Sequence, residues 1–277
     1  MILRPNVKIN LGLNILRKRP DGYHDLETLF VPVGGVNDTL EVIPGDAWSE
    51  TVEHLRSAYE PSQRVQAITP DGKLMITIAR KEGVDWDPLK DLTARAYGLL
   101  AADIDLPPMK IFLEKGSPVG AGLGGGSADA AFALKAINEL ACLGLSEEQL
   151  AGYAARLGSD CAFFIYNRPM FACGRGEILE EYPFDAERYS IELVIPEGVS
   201  VSTAEAYGAI TPHMPSKPLR EVLQHPESWR EDLKNDFEAS VFARHPELAR
   251  IKEELYERGA FYAAMSGSGS ALFGLFE

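Results

Sequence analysis

The segment 7–16 (VKINLGLNIL) alternates Val7, Ile9, Leu11, Leu13 and Ile15 with Lys8, Asn10, Gly12 and Asn14. A period of two is that of a strand with one buried face, so a strand is predicted here, with Lys8 and Asn10 sharing its polar side. Pro20-Asp21-Gly22 then signals a turn and sets Tyr23 and His24 just beyond it. Further strands are predicted at 39–43, 73–79, 109–114, 189–195, 261–265 and 271–275. The stretch 44–72 is polar, rich in Pro and Gly, and without a clear period. It reads as a peripheral excursion with one helical turn near 49–58.

Helical periods are plainer. Asp87-Pro88 offers an N-cap followed by Pro, and Leu89, Leu92, Ala96, Leu99 and Leu100 form a stripe. From Ser127 a run of strong helix formers places Ala130, Leu134, Ile137 and Ala141 on one face, with Gly144 as a stop. Ser146 with Gln149 makes a capping box, and Gly158 is read as the left-handed residue closing that helix. Pro246 opens a last helix that Gly259 closes. Helices and strands mix without regular alternation. The expected fold class is therefore α+β in two lobes rather than a doubly wound sheet, with domains at 1–160 and 161–277.

Charge narrows the partners. The chain has 277 residues and a net charge of −14, which excludes a protein built around nucleic acid or a basic membrane surface. Three cysteines, Cys142, Cys161 and Cys173, match no zinc spacing, and no apolar run reaches the length of a membrane span. No secretory leader is expected, because Arg4, Asn6, Lys8 and Asn10 interrupt the first apolar residues, so a reducing, cytoplasmic setting is predicted. Residues 1–20 run against the overall sign. They hold Arg4, Lys8, Arg17, Lys18 and Arg19 and no acid, a local charge of +5 that suits a small anionic ligand.

The strongest chemical feature is Pro118-Val119-Gly120-Ala121-Gly122-Leu123-Gly124-Gly125-Gly126-Ser127-Ala128, between a predicted strand and a predicted helix. Glycines let a backbone approach a ligand closely, and the helix start adds free N–H groups and a partial positive charge. Together they suit a polyphosphate. No Lys-Ser or Lys-Thr follows, so this is not a P-loop. Gly120, Gly122 and Gly125 fit a dinucleotide fingerprint, but its strand-end acid is missing, since Glu147 and Glu148 open a helix.

Pro118–Ser127 resembles the second motif of the GHMP kinases. The strand Lys8-Ile9-Asn10-Leu11 is similar to their first motif and Ser266-Gly267-Ser268-Gly269 to their third. The resemblance implies a ribosomal protein S5 domain 2-like N-terminal lobe and a ferredoxin-like C-terminal lobe. It further implies an ATP- and Mg²⁺-dependent kinase. Asp21-Gly22-Tyr23-His24 and Leu157-Gly158-Ser159-Asp160 resemble the branch that phosphorylates the 2-hydroxyl of a cytidine diphosphate-linked methylerythritol in isoprenoid biosynthesis.

Carried over, the resemblance makes Asp160 the proton acceptor and Lys8 the group that orients the hydroxyl and holds Asp160 ionised. It makes Tyr23 and Tyr207 the aromatic walls around the cytosine and His24 its reader. It sets Asn10 near the substrate diphosphate, Lys115 near the adenine, and the loop 118–128 on the ATP phosphates. Ser127 and Asp160 are the metal's nominated neighbours. Cys161-Ala162 and Ala128 depart from the usual family residues. The alternatives are a homoserine- or mevalonate-type kinase, which has no base to sandwich, and a non-catalytic nucleotide-binding protein. Oligomeric state is left open.

Overall fold

The computed structural model describes residues 1–277, which divide into two compact units. One comprises Met1–Val7, Gly34–Ser117 and Gly125–Asn167. The other comprises Lys8–Val33, Pro118–Gly124 and Arg168–Glu277. The single cut expected after residue 160 is thus replaced by interleaved segments. The physical reason is burial: Leu13, Ile15 and Leu26, from the first strands, lie in one apolar cluster with Phe237, Val241, Leu248 and Leu255 from the C-terminal part.

The first unit is built on a five-stranded sheet. Its strands run in the order Ile2–Leu3, Thr39–Pro44, Met109–Lys115, Leu74–Arg80 and Arg64–Ile68. All neighbours are antiparallel except Leu74–Arg80 with Met109–Lys115. That pair is parallel because the helix Leu92–Ala101 carries the chain back between them, as a parallel crossover requires. Register aligns Leu40 with Leu113 and Ile78, and Val42 with Ile111 and Ile76. All six are at 0% exposure, each contributing about 1.5–3 kcal/mol relative to an exposed side chain. The helix Gly125–Leu140 lies on this sheet and buries Ala130, Leu134 and Ile137.

Asp91, rather than Asp87, caps the helix Leu92–Ala101, by accepting from Thr93 N at 2.9 Å. Asp87 instead caps a single 3₁₀ turn before it. The Ser146–Gln149 capping box forms as predicted. Gly158 closes that helix in extended rather than left-handed backbone, at φ −174°. The excursion 44–72 is not peripheral filler. It gives the helix Val52–Ala58 and the edge strand Arg64–Ile68. Buried Glu41 pins its start by accepting from Ser49 Oγ (2.5 Å), Glu50 N (3.0 Å) and Thr51 N (3.1 Å).

The second unit holds a four-stranded sheet in the order Asn6–Lys18, His24–Asn37, Met170–Cys173, Ile178–Glu181. It also holds a three-stranded antiparallel sheet in the order Ser190–Val194, Leu272–Phe276, Tyr262–Met265. The strand Asn6–Lys18 keeps the predicted alternation. The strand His24–Asn37 was hidden because Leu29, Phe30 and Val31 are all buried, which removes any period of two, and Pro32 reads as a breaker. No helix is long and apolar enough to cross a membrane.

Candidate active site

Lys8 enters the second unit on the strand Asn6–Lys18 and is only 3% exposed. Its ammonium donates to Asn10 Oδ1 at 2.6 Å and to the carbonyl of Gly122 at 2.9 Å, with the Phe30 ring centroid 5.2 Å away. Asn10, also 3% exposed, is fixed from behind. Its amide donates to Thr28 Oγ1 at 3.0 Å, and Thr28 donates on to Gly12 O at 2.6 Å. Asn10 is therefore seen to orient Lys8, which is more than the substrate contact expected of it. Thr28 was missed because a threonine in an apolar strand carries no sequence signal.

Residues 118–124 form an arch in which Gly120, Gly122 and Gly124 all take positive φ. Gly122 is the junction. Its carbonyl accepts from both Lys8 Nζ and Ser266 Oγ (3.0 Å), and a Cβ there would overlap the Ser266 carbonyl. Only glycine fits at φ 77° with that approach. The third motif, Ser266-Gly267-Ser268-Gly269, is thus a clamp on the second. Ala271 N donates to Ala121 O at 3.1 Å, and Gly269 N closes a turn onto Ser266 O at 3.0 Å.

Behind the clamp stands Asn235-Asp236-Phe237-Glu238, which sequence reasoning passed over. Asn235 Nδ2 donates to Met265 O (2.7 Å) and Gly267 O (2.9 Å). Glu238 Oε1 accepts from Met265 N at 2.8 Å, and Asp236 accepts from Ile15 N at 2.7 Å. The polar run Lys234-Asn235-Asp236 directly before an apolar helix was the available signal, and the structure buries Asn235 at 4% and Glu238 at 9% exposure.

In the first unit Lys115 ends the strand Met109–Lys115 and is buried. Its ammonium meets Asp38, Asp129 (2.5 Å) and Ser117 Oγ (3.3 Å), so its three donors are engaged inside the fold. Asp38 also accepts from Gly116 N (2.7 Å), Ser117 N (2.6 Å) and Ser117 Oγ (2.7 Å). Burial alone would lower the Lys115 pKa, but Asp129 and Asp38 outweigh it and hold the amine above its ordinary value. Burial pushes the Asp129 carboxyl well above its ordinary range, with Lys115 pulling the other way. One ammonium thus lies between two buried carboxyl groups, those of Asp38 and Asp129. The cluster pins the strand end to the helix Gly125–Leu140.

Asp160 sits half-buried at the start of the helix Cys161–Tyr166, and its carboxylate makes no capping bond to that helix. Cys161 next to it is pushed up to about 12, first by burial and then by the Asp160 charge, while a hydrogen bond from Ser127 opposes them. The two oxygens nominated beside a metal, Ser127 and Asp160, therefore share one neighbourhood around Cys161. No group of three or more His, Cys, Asp or Glu forms a metal cage.

Tyr23 is 57% exposed on the turn after Gly22. His24 stacks on Tyr207, with centroids 4.9 Å apart and planes 29° apart, and Tyr207 packs edge-on against Phe237 at 4.8 Å. Burial, helped by the charge of Lys18, holds the His24 imidazole below its ordinary value, so it is neutral near pH 7. The basic stretch is largely answered within this hairpin. Arg17 pairs with Asp25, and Arg19 pairs with Asp21 (3.1 Å) and Asp25 (3.0 Å). Arg17 and Arg19 are thus engaged by acids of the same hairpin.

Residues 91–168 match the N-terminal domain of the GHMP kinases and residues 219–277 their C-terminal domain. A 4-diphosphocytidyl-2-C-methyl-D-erythritol kinase of Bacteroides fragilis is 47% identical over 278 residues, covering 100% of this chain and 92% of its own length. The chain belongs to the GHMP kinases. The corresponding enzyme of Parabacteroides distasonis is 45% identical with the same coverage. A solved 4-(cytidine 5'-diphospho)-2C-methyl-D-erythritol kinase superposes with a TM-score of 0.74 at 31% identity, covering 99% of this chain and 90% of that one. A homoserine kinase of Cytophaga hutchinsonii shares the fold at a TM-score of 0.66 and 15% identity, covering 98% and 85%.

Within this GHMP kinase the three motifs are not equivalent parts. The first and third converge on one carbonyl, Gly122 O, in the middle of the second.

Proposed function

We propose that this GHMP kinase transfers the γ-phosphoryl group of ATP to the 2-hydroxyl of 4-diphosphocytidyl-2-C-methyl-D-erythritol. The observation that carries the reading is the 47% identity to a kinase of that name across the whole chain. Phosphoryl transfer asks mainly for positioning and charge stabilisation, which the residues described above can supply.

In this reading the backbone N–H groups of the arch 118–124 and the first turn of the helix Gly125–Leu140 hold the ATP phosphates, with Ser127 beside them. Lys8, aimed by Asn10 and the Gly122 carbonyl, orients the acceptor hydroxyl and stabilises the charge that builds on the transferred group. The hydroxyl oxygen forms the new bond to the γ-phosphorus, the bond to the bridging oxygen of ADP breaks, and Asp160 takes the hydroxyl proton. Tyr23 and Tyr207 enclose the cytosine, and neutral His24 reads its edge with one donor and one acceptor.

Hard oxygen donors at Ser127 and Asp160 fit Mg²⁺, which keeps most of its ligands from phosphates and water. Those two residues would hold it, and its contribution when bound is to neutralise phosphate charge. Three free cysteines suit a reducing compartment, and we place the enzyme in the cytoplasm.

The test is an ADP-release assay on alcohols with and without a cytidine diphosphate group, run on the wild type and on Asp160→Asn. The cytidine-bearing substrate is expected to be turned over selectively. Asp160→Asn should cut kcat by roughly 10²–10⁴ with the KM for ATP unchanged. Equal turnover of homoserine or mevalonate would sink the substrate assignment, and a normal kcat for Asp160→Asn would remove Asp160 as proton acceptor.

A further inference from the structure

We propose that Arg175 is a positioning residue that sets how tightly the cytidine-bearing substrate is held, by stacking on Tyr23 and fixing that ring as a platform for the base. The inference rests on the reading of Tyr23 and His24 given above.

A tyrosine that is 57% exposed on a turn is a poor platform by itself, because holding its rotamer costs side-chain entropy. Here the guanidinium carbon of Arg175 lies 5.0 Å from the Tyr23 ring centroid, within reach of a cation–π contact. The planar guanidinium suits a ring face in a way a lysine ammonium does not.

The arginine is itself fixed. It occupies the turn Gly174-Arg175-Gly176-Glu177, where its backbone N donates to Glu177 Oε2 (2.6 Å) and its Nε to Glu177 Oε1 (3.3 Å). Gly176 N closes the turn onto Cys173 O at 3.0 Å. Leu26 N donates to Gly174 O at 2.8 Å, which registers the turn on the strand that begins at His24.

The Tyr23 backbone is held from the other direction. Its N donates to Asp21 Oδ1 at 3.1 Å, and its carbonyl accepts from Arg19 N at 2.8 Å. Backbone and ring are thus held by separate devices, beside a His24 already stacked on Tyr207. A surface arginine kept only for its ion pair with Glu177 would need no place over the ring.

The experiment compares Arg175→Gln, Arg175→Lys, Tyr23→Ala and the Arg175→Gln/Tyr23→Ala double variant in steady-state kinetics with the cytidine diphosphate-linked substrate and with ATP. Arg175→Gln should raise the KM for the cytidine substrate by roughly threefold to fivefold, the size of an exposed cation–π contact, while kcat and the KM for ATP hold. Arg175→Lys should recover part of the loss. In the Tyr23→Ala background Arg175→Gln should add nothing, since the contact it removes is already gone. An unchanged KM in Arg175→Gln, or the same rise with and without Tyr23, would overturn the inference while leaving the substrate assignment intact. A wild type indifferent to the cytidine group overturns both.

Discussion

Lys8 and Lys115 are both buried lysines, at 3% and 7% exposure, and both come from strands next to glycine-rich backbone. Their surroundings differ in kind. Lys115 lies between the carboxylates of Asp38 and Asp129, each about 1% exposed, and Ser117 takes its third donor. Lys8 is aimed by an amide oxygen, a peptide carbonyl and a ring face. Charged acceptors neutralise a buried cation and make it part of the frame. The dipolar acceptors at Lys8 aim its ammonium, which suits a cation meant to meet a negative charge that develops during reaction. Burial alone does not distinguish the two lysines; the two buried carboxyl groups of Asp38 and Asp129 mark the surroundings of Lys115.

The largest effect is expected at Lys8. Lys8→Met should lower kcat by about 10²–10³, the usual cost of removing one stabilising group at a developing charge. Stability should fall by only about 1 kcal/mol, because Ser266 Oγ still donates to the Gly122 carbonyl. Turnover and a thermal melt on the same preparation decide it. A large drop in Tm with little change in kcat would make Lys8 a frame residue and erase the contrast.

The mirror image is expected at Lys115. Removing one partner of a buried charge cluster costs about 3–5 kcal/mol, because the remaining carboxylates stay buried without their cation. At about 2–4 °C per kcal/mol for a chain of this size, Lys115→Met should lower Tm by roughly 10 °C. Adding Asp129→Asn removes one of the stranded charges and should restore more than half of the loss. The sign with pH is also fixed. The folded pKa of Lys115 lies above its ordinary 10.5, so its stabilisation is complete below that value and fades as pH rises through the folded one. That alkaline decline should be absent in Lys115→Met. If the variant instead kept its Tm and lost only affinity for ATP, Lys115 would belong beside the adenine rather than to the frame.

The contrast also marks what the sequence disclosed. Alternation from Val7 to Ile15 located the strand carrying Lys8, and the order of three glycine-bearing motifs gave Lys8 a role. Likewise the capping box at Ser146 and the helix expected from Ser127, found at Gly125–Leu140, followed from local signals, because caps and periods are encoded within a few residues. Lys115 could not be read in this way. Its partner Asp38 is 77 residues away, and no local pattern reports a charge met across a sheet. The strand His24–Asn37 was missed for a related reason, since burial on both faces erases the period that would reveal it. The interleaved units, too, follow from long-range burial that no stretch of the chain announces. The Asn235–Glu238 support was written in the sequence but needed the third motif's backbone to give it meaning.

A third lysine sharpens the comparison with the smallest effect. Lys18 is exposed and acts on His24 only through its field, which adds to burial in holding the imidazole below its ordinary 6.5. A neutral ring offers one donor and one acceptor, whereas the protonated ring offers two donors and no longer matches the same base edge. Because the folded pKa is depressed, binding through neutral His24 is fully present above pH 6.5 and is lost as pH falls through the folded value. The KM for the cytidine substrate should therefore rise at acid pH while the KM for ATP does not follow. Lys18→Ala should move that rise to higher pH, and the displacement should fade in high salt, where exposed charges are screened within a few ångströms. A displacement that survives high salt would mean Lys18 touches the site directly. Lys18 would then join Lys8 among the groups that meet the substrate.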